Sequence, residues 1–189
     1  IRVAQTVPMG PVSVEIPIDV QATEIELPEE LYPVGALQMP MIDRVALDRV
    51  VESLKEAKRP ILWIGGGCLE AEDEVKALAD LGIPVLSSTH ARGVLPDHHP
   101  RSLGAFHNSQ KVEELLKSAD IALVVGSRLR SNETKTYSVQ FPEKLIQIDA
   151  NPVAQQRNYR VEHFICSEAK ASLAYLATAL EQHSFIDPD

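Results

Sequence analysis

Glycine and arginine residues follow two of the apolar segments of this chain, where β-strands are expected to end. The segment 61–64 is followed by three glycines, and a later apolar segment by glycine, serine and arginine. Glycines let a ligand approach the backbone closely, and the planar guanidinium group of arginine matches phosphate oxygens. The pattern favours a phosphate-binding site made by Gly65, Gly66, Gly67, Gly126 and Arg128.

Both parts of this pattern have a second interpretation that needs no ligand. The triplet departs from the dinucleotide-binding pattern G-x-G-x-x-G, because Glu70 stands in place of the last glycine. It equally suits a tight turn from a strand into a helix. Arg128 and the neighbouring Arg130 could instead form surface ion pairs in an acidic protein.

Two further loops at the same predicted sheet edge carry polar residues. The loop after the segment 84–87 contains Thr89 and Gly93 but no acidic residue, so it lacks the carboxylate that holds the ribose in common nicotinamide sites. Its composition still suits an ADP-like group. Asp149 follows a later apolar segment and suits either ribose hydroxyls or the cap of a helix that begins at Pro152.

The chain shows no residue pattern typical of a catalytic or metal site. It contains no P-loop, nucleophile elbow or paired-carboxylate pattern. The run DHH at 97–99 lies in a polar loop before Pro100, which favours solvated side chains over metal ligands. Cys68 and Cys166 lie far apart and are predicted to be buried free thiols. We therefore predict no catalytic and no metal-binding residue.

The composition limits the partners and the location of the protein. The 27 acidic and 18 basic residues give a formal charge of −9, which disfavours binding to nucleic acids and to anionic membrane surfaces. No apolar segment approaches the roughly 20 residues of a membrane-spanning helix. Two cysteines without disulfide spacing fit a reducing compartment, so we expect a cytoplasmic protein.

Apolar segments of strand length alternate with segments of helical period along most of the chain. The strand-like segments are 61–64, 84–87, 121–125, 145–148 and 163–166, and the helical ones are 42–54, 70–81, 111–117 and 169–180. Because the strands are apolar on both faces, we expect a parallel sheet covered by helices on both sides. This predicts an open, doubly wound, Rossmann-like α/β domain.

The first forty residues do not follow this alternation. Residues 10–17 alternate β-branched with small or polar residues, which predicts an isolated strand. Residues 21–41 contain prolines and acidic residues without an apolar period, as interdomain linkers do. The chain begins with Ile1 rather than methionine and shows no signal sequence, so we expect a piece of a longer protein.

A series of short motifs follows a fixed order along the chain. They are GPVSVEIPIDV at 10–20, RP at 59–60, GGG at 65–67, GIPV at 82–85, GAF at 104–106, AD at 119–120, GSRL at 126–129 and IDANP at 148–152. The first resembles the end of the pyrimidine-binding domain of thiamine diphosphate-dependent enzymes of the acetolactate synthase, pyruvate oxidase and benzoylformate decarboxylase family. The others are similar to the central domain of that family.

The resemblance implies an architecture and a division of the chain. It implies a six-stranded parallel sheet, with a short additional strand near Ser102 and Leu103. The division is the tail of the pyrimidine-binding domain at 1–20, a linker at 21–41, the central domain at 42–183 and a disordered tail at 184–189. In the family, the outer domains hold thiamine diphosphate and Mg²⁺ and act on 2-oxo acids. The resemblance thus implies a catalytically inactive module, joined to other domains of one polypeptide in a homodimer or homotetramer.

The resemblance also implies a ligand for the predicted site. Some members bind FAD or an ADP-like group through residues that correspond here to Gly65, Gly66, Gly67, Thr89, Gly93, Gly126, Arg128 and Asp149. The chain departs from acetolactate synthases in two places, because LRSN at 129–132 replaces acidic residues after the arginine and Asn151 replaces an aspartate. The alternative is a self-standing nucleotide-binding protein, such as an NAD-dependent enzyme on a Rossmann-like sheet.

Overall fold

The computed structural model of the chain describes four segments, residues 2–6, 9–26, 42–105 and 109–186. They belong to two units, Ile1–Met39 and Pro40–Asp189. Most of the predicted linker, residues 27–41, lies outside the described segments.

The first unit contains two single-turn helices and no sheet among its described residues. Helix α1 spans Arg2–Gln5 and helix α2 spans Ile18–Gln21. The isolated strand predicted at 10–17 is wrong, since this exposed segment is irregular and pairs with no strand of the described chain. The alternating pattern is present, but a β-strand also needs a neighbour to satisfy its backbone groups.

The second unit is built on a parallel sheet of five strands. The strands are β1 (Pro60–Ile64), β2 (Val85–Ser87), β3 (Ile121–Val125), β4 (Lys144–Asp149) and β5 (His163–Cys166). Their order is β2-β1-β3-β4-β5, and every neighbouring pair is parallel. All five strands predicted from apolar segments are confirmed. The chain reverses its direction of travel across the sheet between β1 and β3, and at such a switch point open α/β sheets bind ligands.

The sixth strand expected near Ser102 and Leu103 is not formed. Ser102 makes one isolated parallel bridge with Val85, and the Leu103 amide donates to the Val85 carbonyl over 2.8 Å. Turns at Arg101 and at Gly104 bound this segment, so its extended part is too short for a ladder. The sheet therefore has five strands, and the segment 101–104 lies along the outer edge of β2, where the Val85 amide donates to the Arg101 carbonyl over 2.8 Å and the Ser87 amide to the Gly104 carbonyl over 2.9 Å.

Helices cover both faces of the sheet, which supports the predicted doubly wound α/β class. They are α3 (Arg44–Glu56), α4 (Glu72–Asp80), α5 (Gln110–Ser118) and α6 (Ala169–Leu180). Alternate residues of β1 separate the two cores: Leu62 and Ile64 pack with α3, α4 and α6, whereas Ile61 and Trp63 pack with α5. Among the described residues, no helix has the length and apolar character needed to cross a bilayer.

The aspartate of the AD motif at 119–120 forms hydrogen bonds at the start of the sheet. The Asp120 carboxylate accepts hydrogen bonds from the Lys58 amide over 2.7 Å and from the Arg59 amide over 3.0 Å. These bonds tie the entry of β1 to that of β3. At the other end of the unit, the Phe185 amide donates to the Leu81 carbonyl over 2.7 Å, while 187–189 lie outside the described residues.

The prediction of two buried thiols is correct for Cys68 and wrong for Cys166. Cys68 lies in the core, whereas Cys166 is exposed at the end of β5. Strand β5 is an edge strand, and its burial pattern of exposed, half-buried, buried and exposed residues shows that the helices cover it incompletely.

This difference predicts unequal reactivity of the two thiols. Burial raises the pKa of Cys68 to about 12, so Cys68 has almost no reactive thiolate near pH 8. We expect a disulfide reagent such as DTNB to label one thiol per folded chain quickly and both after denaturation. Cys166→Ser should abolish the fast phase, and fast labelling that survives this substitution would contradict the assigned burial.

Candidate functional site

Backbone hydrogen bonds join the loops after β1, β3 and β4 at the carboxyl edge of the sheet. The Gly65 amide donates to the Val125 carbonyl over 2.8 Å, and the Gly67 amide donates to the Gly126 carbonyl over 3.0 Å. The Gly126 amide in turn donates to the Ile148 carbonyl over 2.9 Å. The two glycine-containing loops predicted from the sequence, after β1 and after β3, are therefore hydrogen-bonded to each other at the switch point.

Two glycines of the triplet are required by backbone packing. A Cβ atom on Gly65 would lie 2.2 Å from the carbonyl oxygen of Gly126, and one on Gly67 would lie 2.8 Å from the Gly126 Cα. Gly126 itself has a φ of +61°, which favours glycine. Gly66 differs, because a Cβ there would meet only the His90 Cβ at 3.3 Å. The tight-turn interpretation therefore explains Gly65 and Gly67, and leaves Gly66 free to face a ligand.

A cleft of about 290 Å³ opens between these loops, and we call it the glycine cleft. Four of the eight predicted residues line it: Gly66, Gly67, Gly126 and Arg128. The other four, Gly65, Thr89, Gly93 and Asp149, do not line it. Four of the predicted residues are thus brought together in one cavity.

The cleft also contains polar residues that the sequence did not single out. Ser88 is 1% exposed, and its Oγ is buried without a hydrogen-bond partner in the described part of the chain. The Glu133 side chain is also buried, with one oxygen 3.4 Å from the Ser127 Oγ and the other 3.5 Å from the His90 Nδ1. The position of Ser88 directly after β2 was a usable signal. Nothing in the sequence marked Glu133, since it lies in a segment of turns.

The arginines of the cleft make no ion pair. Arg128 and Arg130 both line it, and within the described segments neither guanidinium group lies within 4.0 Å of a carboxylate or makes a side-chain hydrogen bond. The surface ion-pair interpretation of these residues therefore finds no partner among the described residues. Both arginines share the cleft with the Glu133 carboxylate, and the positive charge of Arg128 opposes the rise in the pKa of Asp149 that burial causes.

Buried hydrogen bonds hold the backbone that carries Arg128. The Ser127 Oγ accepts from the Leu129 amide over 3.2 Å, and the Ser127 carbonyl accepts from the Gln147 side-chain amide over 2.9 Å. The side-chain amide of Asn158 donates to the Arg128 carbonyl over 2.6 Å. Leu129 is buried at a φ of +48° between the two arginines. The loop is thus anchored to its neighbours on both sides.

Asp149 makes a local hydrogen bond next to the turn at Pro152, and the cap of that turn is Asn151. Asp149 is 8% exposed, and its Oδ1 accepts from the Asn151 amide over 2.8 Å. The Asn151 Oδ1 accepts from the Val153 amide over 3.0 Å and caps the 3-10 turn Pro152–Ala154. The capping interpretation is therefore wrong for Asp149 and correct for Asn151, and burial raises the pKa of the Asp149 carboxyl.

The raised pKa of Asp149 predicts a pH-dependent effect of its substitution. Since the folded chain holds the proton more tightly than the unfolded chain, the stability that Asp149 provides is complete below its ordinary pKa of 3.8 and is lost as the pH rises through the folded value. We expect Asp149→Asn to unfold at higher urea than the wild type at pH 7, with the difference shrinking on acidification. A difference that grows on acidification would contradict burial as the dominant cause.

The chain matches known proteins over most of its length. A match to the family described as "Thiamine pyrophosphate enzyme, central domain" covers residues 47–176. The chain belongs to this family. The matched range includes all five strands, the glycine cleft and α3 to α5 almost completely.

Individual relatives show how much of a longer protein the chain represents. It is 30% identical over 175 residues to the acetolactate synthase large subunit of Corynebacterium glutamicum, covering 88% of this chain and 28% of the relative. The probable acetolactate synthase large subunit of Methanocaldococcus jannaschii is 29% identical, with 95% and 32% covered. The glyoxylate carboligase of Escherichia coli O157:H7 is 28% identical, with 92% and 30% covered. The chain spans about three tenths of the length of these relatives.

Proposed function

We propose that this chain is the central domain of a longer thiamine diphosphate-dependent lyase or transferase that acts on 2-oxo acids. The family match and the relatives named acetolactate synthase and glyoxylate carboligase support this proposal. In the proposal, the parent protein works in the cytoplasm as a dimer or tetramer, and its other domains provide the coenzyme site. The residues 1–20, 21–41, 42–183 and 184–189 are then a domain tail, a linker, the central domain and a C-terminal tail.

We propose that Mg²⁺ and thiamine diphosphate bind to the other domains of the parent protein and not to this domain. No group of three or more His, Cys, Asp or Glu side chains gathers where a metal ion could bind in the described part of the chain. A magnesium site draws its ligands from carboxylate and other oxygen atoms. We therefore assign no step of the parent reaction to this domain.

The described residues do fit an ADP-like group, and we propose that the glycine cleft binds one, as free ADP or as part of FAD. The observation that carries this proposal is the presence beside Gly66, at the switch point, of Arg128 and Arg130, which form no ion pair within the described residues. The guanidinium groups would bind the diphosphate, and Gly66 would let it approach the loop. The Ser88 Oγ, which has no hydrogen-bond partner among the described residues, can donate to a ligand oxygen.

A buried carboxylate in the cleft suits the ribose. We propose Glu133, rather than the predicted Asp149, as the acceptor for ribose hydroxyls, because Glu133 lines the cleft and Asp149 does not. The Glu133 carboxylate accepts a hydrogen bond from the Ser127 Oγ over 3.4 Å and lies 3.5 Å from the His90 Nδ1, and these contacts fix its position. The sequence predicted a carboxylate for the ribose hydroxyls, and this assignment gives that role to Glu133 in place of Asp149.

Calorimetric titration of the 189-residue chain with ADP, FAD and NAD tests the ligand proposal. We expect ADP or FAD to bind with a dissociation constant of roughly micromolar to hundreds of micromolar, and Ser88→Val to weaken binding by about tenfold because a buried donor is lost. Thr89→Val is the matched control, since Thr89 does not line the cleft. Binding of NAD alone would favour the self-standing dehydrogenase alternative, and binding of none of the three would refute the nucleotide proposal.

An activity measurement tests the structural role. Supplied with pyruvate, thiamine diphosphate and Mg²⁺, the chain alone should consume no 2-oxo acid. Measurable turnover that persists after repurification would contradict the assignment of catalysis to other domains.

A further inference from the structure

A second cavity, of about 680 Å³, adjoins the glycine cleft and shares Arg128 and Arg130 with it. Of its nine lining residues, four are basic, namely Arg128, Arg130, Lys135 and Arg157, and none is acidic. We call it the basic cavity. We propose that the basic cavity binds a compact polyanion carrying at least two phosphate groups, and that this polyanion competes with a ligand of the glycine cleft for Arg128 and Arg130.

The uncompensated charge of the basic cavity supports an anionic ligand. Lys135 is paired with the Glu113 carboxylate, whereas Arg128, Arg130 and Arg157 form no ion pair within the described residues. Three guanidinium groups of like charge therefore line one cavity of a protein whose formal charge is −9. Such a concentration of positive charge attracts anions, and the guanidinium fork pairs with phosphate oxygens.

The number of charges indicates the class of anion. Each phosphate group carries about −1.5 to −2 near neutral pH, so two groups together balance three arginines, whereas one group leaves an excess of positive charge. The volume of about 680 Å³ lies within the usual range for small-molecule sites. A diphosphate, either free or as part of a nucleoside triphosphate, matches both the positive charge of the three arginines and the volume of the cavity.

Two walls of the basic cavity are held through their backbone, while five of its nine lining residues are exposed, namely Arg130, Asn132, Thr136, Tyr137 and Arg157. Asn158 lines the cavity and donates to the Arg128 carbonyl over 2.6 Å, which joins the loops after β3 and β4. The opposite wall contains Lys135, Thr136 and Tyr137 at φ values of +48°, +56° and +64°. Residues with side chains adopt this left-handed conformation only where their surroundings impose it, and such positions concentrate at functional sites.

The test uses inorganic pyrophosphate as the probe and one arginine that only the basic cavity contains. Arg157 lines this cavity but not the glycine cleft, and it is exposed, so Arg157→Gln should leave the melting temperature unchanged. Arg160→Gln is the control, because Arg160 is also exposed, lies three positions away and lines neither cavity. Each variant is titrated calorimetrically with pyrophosphate, ATP and ADP.

We expect pyrophosphate to bind the wild type, Arg157→Gln to weaken it by about tenfold, and Arg160→Gln to change it by less than about twofold. Dependence on Arg157 for ATP but not for free pyrophosphate would identify a nucleoside triphosphate as the source of the phosphates. No binding of either probe at roughly millimolar concentration, or equal weakening by both substitutions, would overturn the proposal. Because Arg157 lies outside the glycine cleft, the two proposals can fail separately. If ADP does not bind but pyrophosphate binds and depends on Arg157, the proposed nucleotide function is refuted and this inference is not.

Discussion

Replacement of Gly65 by alanine is expected to lower the free energy of unfolding by about 3 kcal/mol or more, at the upper end of overpacking effects. The added Cβ would lie 2.2 Å from the Gly126 carbonyl oxygen and 2.5 Å from the Ser127 Cβ. Neither contact can be relieved by rotation of a flexible side chain, since both lie in the loop held by the Val125 and Ile148 hydrogen bonds. The β1 and β3 loops would have to separate.

The neighbouring Gly66 provides the matched control. Gly66→Ala should cost no more than about 1 kcal/mol, because only the His90 Cβ at 3.3 Å has to give way. Both variants can be unfolded in urea with the fluorescence of Trp63, which is the single tryptophan of the chain and lies fully buried in β1. Equal destabilisation by the two substitutions would contradict the close approach of the loops.

Replacement of Arg128 by glutamine is expected to weaken the binding of both ADP and pyrophosphate by at least about tenfold, because a charge-assisted pair with phosphate is lost. Arg128 lines the glycine cleft and the basic cavity, so one substitution affects both ligands. Ser88→Val should weaken the binding of ADP and leave that of pyrophosphate unchanged. Arg157→Gln should weaken the binding of pyrophosphate or of ATP and leave that of ADP unchanged. The three variants together separate the two sites.

The same substitution carries a check on folding. The Arg128 side chain makes no hydrogen bond or ion pair to described residues, and the loop is held through its backbone carbonyl by Asn158. Arg128→Gln should therefore keep the urea midpoint of the wild type. Loss of binding that is accompanied by a large loss of stability would instead assign Arg128 a structural role.

The fold could be predicted from the sequence wherever burial alone decides the structure. Strands such as β1 and β3 are buried along their whole length, and their apolar runs marked them within one residue. The short segment at Ser102 and the exposed segment 10–17 were predicted less well. The strand at Ser102 was implied by the family resemblance, and the structure limits it to one bridge with Val85. The segment 10–17 has the alternating pattern of a strand, but strand formation also depends on pairing with a neighbour, which periodicity does not report.

The candidate site was predictable in its location and only partly in its residues. The position of Gly66, Gly126 and Arg128 after β1 and β3 follows from the rule that ligands bind at the carboxyl ends of parallel strands. The rule cannot distinguish a glycine needed for packing, such as Gly65, from one that faces a cavity, since the difference lies in contacts between distant loops. Glu133 was missed because its approach to the cleft depends on the turns between β3 and β4.

The central claim is that an ADP-like group binds in the glycine cleft, and amide chemical shifts test it most directly. In a ¹⁵N-labelled chain titrated with ADP, the amides of Gly66, Ser88 and Gly126 should shift in a saturable manner, and Gly93, which does not line the cleft, should not. Arg128→Gln should move this titration to higher ADP concentrations. Saturable shifts centred elsewhere, or none at the cleft, would contradict the account.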